Sequence, residues 1–365
     1  MDGKIDTDAL RKQLKTLLED QNLGRGDKPK TCQLGSRLDW GDSPKMLLYR
    51  YYPLTEYALE NISKSQITLV SPREFNDPYD AFPFFNFEAL KKDFEWVTPD
   101  AVRELLQNAK NGCLTEIQKK RLGDEYDISY FCHQIASSPE IDEARLDECA
   151  SKAKYITEAD IRALIRIFQT RVRIACFSER YDSMLMWGHY AQGHTGICVE
   201  YEMPLFCSLP MGSVLPPNYA PNGNDISLLP VVYRAERYDY SLGIVNYYKN
   251  LSYLSSNLKL CEKKIDSWIN FRISCFKSKE WEYEKEWRVI ESVVDWANTP
   301  RFHSIPFGKM TRIFLGCRIS ELNKKIVRNL IKTSEFSAIQ SVPIFQTKLN
   351  ESSQAYTIEV GEEVL

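Results

Sequence analysis

The sequence predicts an α+β protein: a strongly twisted, mostly antiparallel sheet carrying a helical insertion near residues 100 to 170. Three observations predict it. Short runs rich in Val, Ile, Tyr and Phe recur along the chain, bounded by Gly, Pro and Asn-Asp-Pro turns, which is strand chemistry. From about Asp100 to Thr170 apolar residues fall instead at spacings of three and four, the helical period. After Thr170 the strand texture returns, so the helical region reads as an insertion within a β-rich core.

Residues 1 to 45 read as a peripheral N-terminal segment, and residues 46 to 365 as one domain with the insertion at 100–170. In the first segment, DTDALRKQLKTLLED forms one amphipathic helix with Leu10, Leu14, Leu17 and Leu18 on a face. Residues 24–44, punctuated by Gly and Pro, are loop. MLLYRYYPL (46–54) is an aromatic-rich strand, TEYALENISKS a short helix, and ITLVSP (67–72) a second strand stopped by Pro72. REFNDPYD follows as a turn. Within the insertion, DAVRELLQNAK, LTEIQKKRL and TEADIRALIRIFQTR are helical; Thr157 with Asp160 caps the last, whose inner face is Ile161, Leu164, Ile165 and Phe168. VRIACFSE (172–179) resumes the sheet, SMLMWGHYA (183–191) is a short helix and GICVEYE (196–202) a strand. Residues 204 to 230, rich in Pro and Gly, read as a long surface loop. VVYR is a strand. Residues 241 to 278 read as helical, with Leu258, Ile265, Trp268 and Ile269 inward. WRVIES, RIFLG and VPIFQTKL supply three more strands, with a helix ELNKKIVRNLIKT between the last two, and AYTIEV closes a sheet edge.

Composition narrows the function. The 365 residues carry a net charge of −3, so no global field draws the chain to nucleic acid or an anionic membrane, although a local basic groove stays open. The 10 cysteines contain no CxxC pair, and several sit in apolar runs such as IACF and GICV; this points to a reducing compartment. No signal peptide or membrane-length apolar run is evident, and a cytoplasmic protein is expected. GxxxxGK[ST], GxGxxG, HExxH and GxSxG are all absent, which removes the usual support for helicase, kinase, dehydrogenase and zincin chemistry. His189, His194 and Cys198 match no familiar zinc spacing, so no metal is expected there.

Three clusters carry candidate chemistry. The first is KSKEWEYEKEWRVIE, from Lys277 to Glu291. As a helix it sets Glu280, Glu284 and Arg288 in one row of i,i+4 pairs. As a strand it puts Glu282, Glu284, Glu286 and Arg288 on one face, where crowding raises at least one carboxylate pKa unless a cation compensates. The second is REFNDPYDAF, where Asn76, Asp77 and Asp80 either form an Asx turn or present an amide and carboxylates at the mouth of a sheet. The third is CFSERYDSMLMWGHYAQGHTGICVEY, in which Trp187 and Tyr190 either fill the core or stack on a planar ligand.

In their fixed order, LLYRYYPL, SPREFNDPYD, CFSERYDSMLMWGHYAQGHTGICVEY and KSKEWEYEKEWRVI resemble the marks of a widespread bacterial family of unknown function, over about residues 46 to 320. The chain is more distantly similar to the ADP-ribosyltransferases, including those that modify nucleic acid. Those enzymes carry a basic or imidazole residue on a first strand, a Ser or Thr on a second, an aromatic on a following helix and a late glutamate. Here Arg50, Ser71 and Tyr190 take the first three positions, and Glu284 or Glu286 the last. Arg50 departs from the usual His, and two glutamates compete for one role. The resemblance implies an ADP-ribosyltransferase-like sheet and NAD as the substrate consumed. Glu284 and Glu286 would then be catalytic, and Arg50, Ser71, Asn76, Asp77, Trp187 and Tyr190 would hold NAD. Arg288 would position one glutamate. The setting implied is a bacterial toxin or anti-phage effector with a nucleic-acid or protein acceptor. Two rival expectations stand beside it: a non-catalytic nucleotide-sensing or interaction module on the same fold, and a metal-dependent nuclease using Asp77, Asp80 and the late glutamates.

Overall fold

A computed structural model describes residues 6–19, 45–94, 98–122, 128–137, 142–151, 156–204, 225–245, 269–293, 300–306 and 308–364. The chain is a mixed α/β protein built on an open, mostly antiparallel sheet. Its strands are β1 (Lys45–Tyr52), β2 (Gln66–Val70), β3 (Val172–Ser178), β4 (Ile197–Pro204), β5 (Asp225–Pro230), β6 (Val232–Arg234), β7 (Phe276–Ser278), β8 (Glu286–Ser292), β9 (Phe302–Pro306), β10 (Lys309–Leu315), β11 (Ile344–Leu349) and β12 (Ile358–Glu363). Its helices are α1 (Thr7–Glu19), α2 (Glu56–Ser63), α3 (Phe87–Phe94), α4 (Pro99–Lys110), α5 (Glu116–Leu122), α6 (Ile128–Ser137), α7 (Glu143–Ser151), α8 (Glu158–Thr170), α9 (Met184–Tyr190), α10 (Ile269–Ser274), α11 (Glu321–Lys332) and α12 (Ser337–Gln340).

The backbone of the sheet runs β12-β11-β10-β4-β1-β3-β2-β9, antiparallel throughout except for the parallel pair β10 and β11; β6 and β7 form a separate parallel pair. β3 decides its shape. One edge of β3 is matched residue for residue with β8, from Val172↔Ser292 to Ser178↔Glu286, and β8 in turn pairs with β5. A strand has two edges, so β1 and β2 must share the other one. They do so at different points, β1 at Tyr49↔Ser178 and β2 at Val70↔Ile174. The sheet therefore splits between β1 and β2, above the middle of β3.

The two faces of β3 serve two cores. Ala175 and Phe177 join the cluster beneath β1, β4 and β10, closed by α2 (Ala58, Ile62) and α11 (Val327, Ile331). Val172 and Ile174 join a second cluster with α8, α10 and α1. Covered on both sides, β3 is buried almost end to end. α8 begins at the expected cap: Thr157 and Asp160 form a reciprocal capping box, and Ile161, Leu164, Ile165 and Phe168 are all buried. The preceding helices of the insertion pack on one another, with Leu105, Leu106 and Phe131 in a small cluster of their own.

Three expectations need correction. The surface loop expected at 204–230 ends in β5, whose Ile226, Ser227 and Leu228 are buried and fully paired to β8; a strand covered on both faces shows no alternation to read. Residues 205–224 lie outside the described residues. Of the helix expected over 241–278, residues 241–245 and α10 are helical, but Phe276–Ser278 is a strand, because it pairs with β6. Ile269 packs inward as expected, while Leu258, Ile265 and Trp268 lie outside the described residues. Lastly, α1 is not peripheral in its packing. Leu14 and Leu18 are buried in the second core, and Arg11 Nε donates to the Val231 carbonyl at 3.1 Å. No helix among the described residues is long and apolar enough to cross a membrane.

Leu18 is fully buried. Leu18→Ala should therefore cost about 2–5 kcal/mol in urea denaturation, the range for a truncated core leucine. A loss below about 0.5 kcal/mol, the surface value, would show that α1 is an appendage.

Candidate functional site

A cleft of about 440 Å³ opens at the split in the sheet. β1 contributes Tyr49, Arg50 and Tyr51 to its walls, and the turn after β2 contributes Phe75 and Asn76. α9 lays Met186, His189 and Tyr190 along one side. Ser183 fixes the start of that helix by accepting the Met186 N–H. The floor holds Asp80, Lys277, Glu284 and Glu286.

The acidic stretch is neither the continuous helix nor the continuous strand that its pattern allows. Ser278 caps a 3-10 helix over Lys279–Glu284, and β8 begins at Glu286. Between them Lys285 is left-handed, at φ 45° and ψ 51°. A non-glycine residue there costs about 1–2 kcal/mol, so the surroundings must hold the turn. They do: the Ser178 hydroxyl donates to the Glu284 carbonyl at 2.7 Å, and the Glu286 N–H donates to the Tyr233 hydroxyl at 2.7 Å. The result is that two carboxylates converge on one ammonium. Lys277 Nζ lies 2.6 Å from Glu284 Oε2 and 2.9 Å from Glu286 Oε2.

Arg288 completes the network from the next inward position of β8. Its Nε and Nη2 hold Glu286 at 2.8 and 3.1 Å, its Nη1 and Nη2 fork onto Asp80 at 2.7 and 2.6 Å, and Nη1 also donates to the Ser274 carbonyl. Three buried carboxylates thus face two buried cations. The two glutamates respond differently. Burial pushes the Glu286 pKa up, but Arg288 and Lys277 together overcome this and hold it well below the usual carboxylate range. Burial, aided by the charge of Glu286, pushes Glu284 up, and its contacts with Lys277 and Tyr190 only partly oppose this. Glu284 is the carboxylate in surplus.

A hydrogen-bond chain leads from Glu284 back to the cleft wall. The Tyr190 hydroxyl donates to Glu284 Oε1 at 2.6 Å, and Asn76 bonds the same hydroxyl. Burial and the Glu284 charge push the Tyr190 pKa up, so the phenol stays a donor. Across the split, Arg50 Nη2 donates to the Thr68 carbonyl of β2 at 3.0 Å, with its guanidinium 5.2 Å from the Tyr52 ring centre. Its Nη1 is buried and has no hydrogen-bond partner among the described residues.

Of the residues singled out in the sequence, Arg50, Asn76, Tyr190, Glu284 and Glu286 meet at this cleft. Ser71, Asp77 and Trp187 do not. The Ser71 hydroxyl is buried against the end of α8, donating to the Gln169 carbonyl at 3.2 Å. Asp77 uses Oδ1 to accept the Tyr79 N–H at 2.9 Å, an Asx turn, and faces a separate recess beside Arg73 and Arg166. Trp187 is core: fully buried, edge-on to Tyr51 and bonded through Nε1 to the Tyr181 carbonyl at 2.6 Å. Lys277 was missed. Its signal was a lone lysine ending the apolar run ISCF just before the acidic residues. Asp80, read as part of an Asx turn, as a carboxylate at the mouth of a sheet or as a metal ligand, has both its oxygens taken by Arg288. Among the described residues no group of His, Cys, Asp and Glu is arranged to hold a metal ion.

The profile of a family described as "Protein of unknown function (DUF2971)" matches residues 186–289, which span Tyr190, Lys277, Glu284, Glu286 and Arg288. Neither the curated proteins nor the solved structures yield a match.

Removing Arg288 leaves Asp80 and Glu286 to share Lys277 alone. Arg288→Met should lower stability at neutral pH by about 3–5 kcal/mol in denaturant titration, as for a buried pair stripped of one partner; a loss under about 1 kcal/mol would show the charges to be solvated. Glu284 supplies a pH test. Its folded pKa is raised above the ordinary 4.5, so its contribution is full below that value and falls away as pH rises through the raised one. Glu284→Gln cannot ionise, and its stability relative to the wild type should improve as pH rises from about 4 to 8. A difference that is flat, or that moves against the variant, contradicts the charge assignment.

Proposed function

We propose that the cleft binds NAD and transfers its ADP-ribose group to an acceptor. The observation that carries this reading is the surplus carboxylate: Glu284 lies on the floor of a ring-walled cleft and is the third carboxylate, with Asp80 and Glu286, in contact with only two cations, Lys277 and Arg288. Such a site favours a reaction in which positive charge develops on the ligand. Cleavage of the nicotinamide–ribose bond is one. The bonding electron pair moves to the nicotinamide nitrogen, neutralising the pyridinium, and the ribose C1′ becomes oxocarbenium-like. Glu284 stabilises that carbon. The acceptor nucleophile then bonds to C1′, and Glu284 takes its proton. Lys277 and Arg288 hold Glu284 and Glu286 in place, while Arg50 Nη1 offers a free donor for a pyrophosphate oxygen. Tyr190, oriented by Asn76 and Glu284, presents a ring and a hydroxyl to the nicotinamide riboside end. The ADP-ribosyltransferase likeness of the sequence supports NAD as the donor, and a toxin or anti-phage setting rests on that likeness alone.

A second reading has its own support. Both oxygens of Glu284 already have internal partners, Lys277 and Tyr190, so the floor is complete without a ligand. That suits a module which binds a nucleotide and signals without turnover. The nuclease reading gains nothing from the geometry, since the Asp80 oxygens belong to Arg288 and Asp77 caps its own turn.

Incubation with NAD and measurement of free nicotinamide separates these readings. Release that falls by about 10²–10³ in Glu284→Gln, the usual loss for one group stabilising transition-state charge, supports transfer. Saturable NAD binding without release supports the sensor. Absence of both overturns the proposal.

A further inference from the structure

The turn that delivers Asp80 to the charge network points its neighbour the other way. Asp80 is 3% exposed and Tyr79 is 62% exposed. The Arg237 guanidinium lies 4.9 Å from the Tyr79 ring centre and 5.4 Å from that of Phe84, itself 37% exposed. The loops carrying these residues are tied together, with the Phe84 N–H donating to the Tyr238 carbonyl at 2.8 Å and the Tyr240 N–H to the Phe84 carbonyl at 2.9 Å. A recess of about 170 Å³ lies between them, and Lys277 and Ser278 form part of its inner wall. Lys277 also lines the main cleft. Nearby, Arg234 lies 5.2 Å from the Phe276 ring centre and is paired with Glu19 at 2.7 Å. Arg237 has no such ion pair among the described residues.

We infer that this recess takes single-stranded nucleic acid. An arginine whose guanidinium lies over ring faces retains N–H donors for a phosphate fork. Exposed ring faces beside it offer stacking to an unpaired base, and the two together are the chemistry of single-strand binding. An acidic peptide would use Arg237 and leave Tyr79 and Phe84 idle. Base-paired duplex would bury its bases away from both rings. The net charge of −3 gives no long-range attraction, so affinity depends on these local contacts.

The nucleic-acid site is independent of the glycosyl-transfer reading and is measured without it. Fluorescence anisotropy of a labelled single-stranded oligonucleotide, with no NAD present, is the direct test. The wild-type chain should bind it. Tyr79→Leu and Arg237→Gln, each at an exposed position, should keep the wild-type unfolding temperature and each weaken binding by about tenfold, as expected for loss of one stacking contact. The inference is overturned by an oligonucleotide that fails to bind, by unchanged binding in both variants, or by an oligoglutamate peptide that binds the recess in its place. Failed nicotinamide release with intact oligonucleotide binding would remove the glycosyl-transfer reading alone; the reverse outcome would remove this site alone.

Discussion

Everything near the cleft depends on the contact of two buried cations, Lys277 and Arg288, with three buried carboxylates, Asp80, Glu284 and Glu286. Such a network is expensive. Each ion loses water, and a hydrophobic cluster of equal volume would often be as stable or more so. What the network supplies is position. Asp80 comes from the turn after β2, Lys277 from β7, Glu284 from a 3-10 helix and Arg288 from β8, and the ion pairs lock these four places together. Breaking one contact leaves another charge stranded, so the arrangement is all or nothing. Because the anions outnumber the cations in contact with them, the one left over is Glu284, the residue that the Tyr190 hydroxyl also reaches.

The sheet makes room for this cluster by splitting. β3 gives one edge wholly to β8, and β1 and β2 divide the other, so a gap opens over β3 without any strand being lost. Arg50 closes the back of that gap by reaching from β1 to the Thr68 carbonyl of β2. The left-handed residue Lys285 performs the matching operation in the chain itself. It lets a 3-10 helix end and a strand begin within one residue, with both glutamates still facing inward. Local strain is tolerated because the surrounding hydrogen bonds over-determine the turn. α1 reinforces the same place from behind, with Arg11 paired to Glu179 at 2.5 Å and Glu179 accepting the Trp287 indole N–H at 2.7 Å.

Much of this was legible in the residues. The period of three and four located α8 and its four inward side chains, and the aromatic and β-branched runs located β1, β3, β4 and β10. Asn76, Tyr190, Glu284 and Glu286 stood out because each is polar and sits beside rings or in a turn, whereas Arg50 was named through the ADP-ribosyltransferase resemblance alone. Two of the misses were decided by partners far apart in the chain. Trp187 and Tyr190 lie on one short helix and looked equally suited to stacking, yet the indole turns into the core and the phenol onto Glu284. Lys277 was given no role in the sequence, and its burial follows from the long-range pairing of β7 with β6. β5 hid because a strand buried on both faces has no polar alternation, and β9 because FHSIP is short and largely exposed at the sheet edge. Helix and strand templates both failed on Lys277 to Glu291, since neither contains a left-handed break.

The central claim is that Glu284 serves a ligand's developing positive charge rather than filling a structural slot. A crystal structure of the protein with a non-cleavable carbocyclic NAD analogue tests it most directly. The expected result is an analogue seated in the split, with the carbon equivalent to C1′ about 3–3.5 Å from a Glu284 oxygen, near-attack range, and the pyrophosphate against Arg50. An analogue bound elsewhere, or bound in the cleft with its nicotinamide end turned away from Glu284, would contradict it.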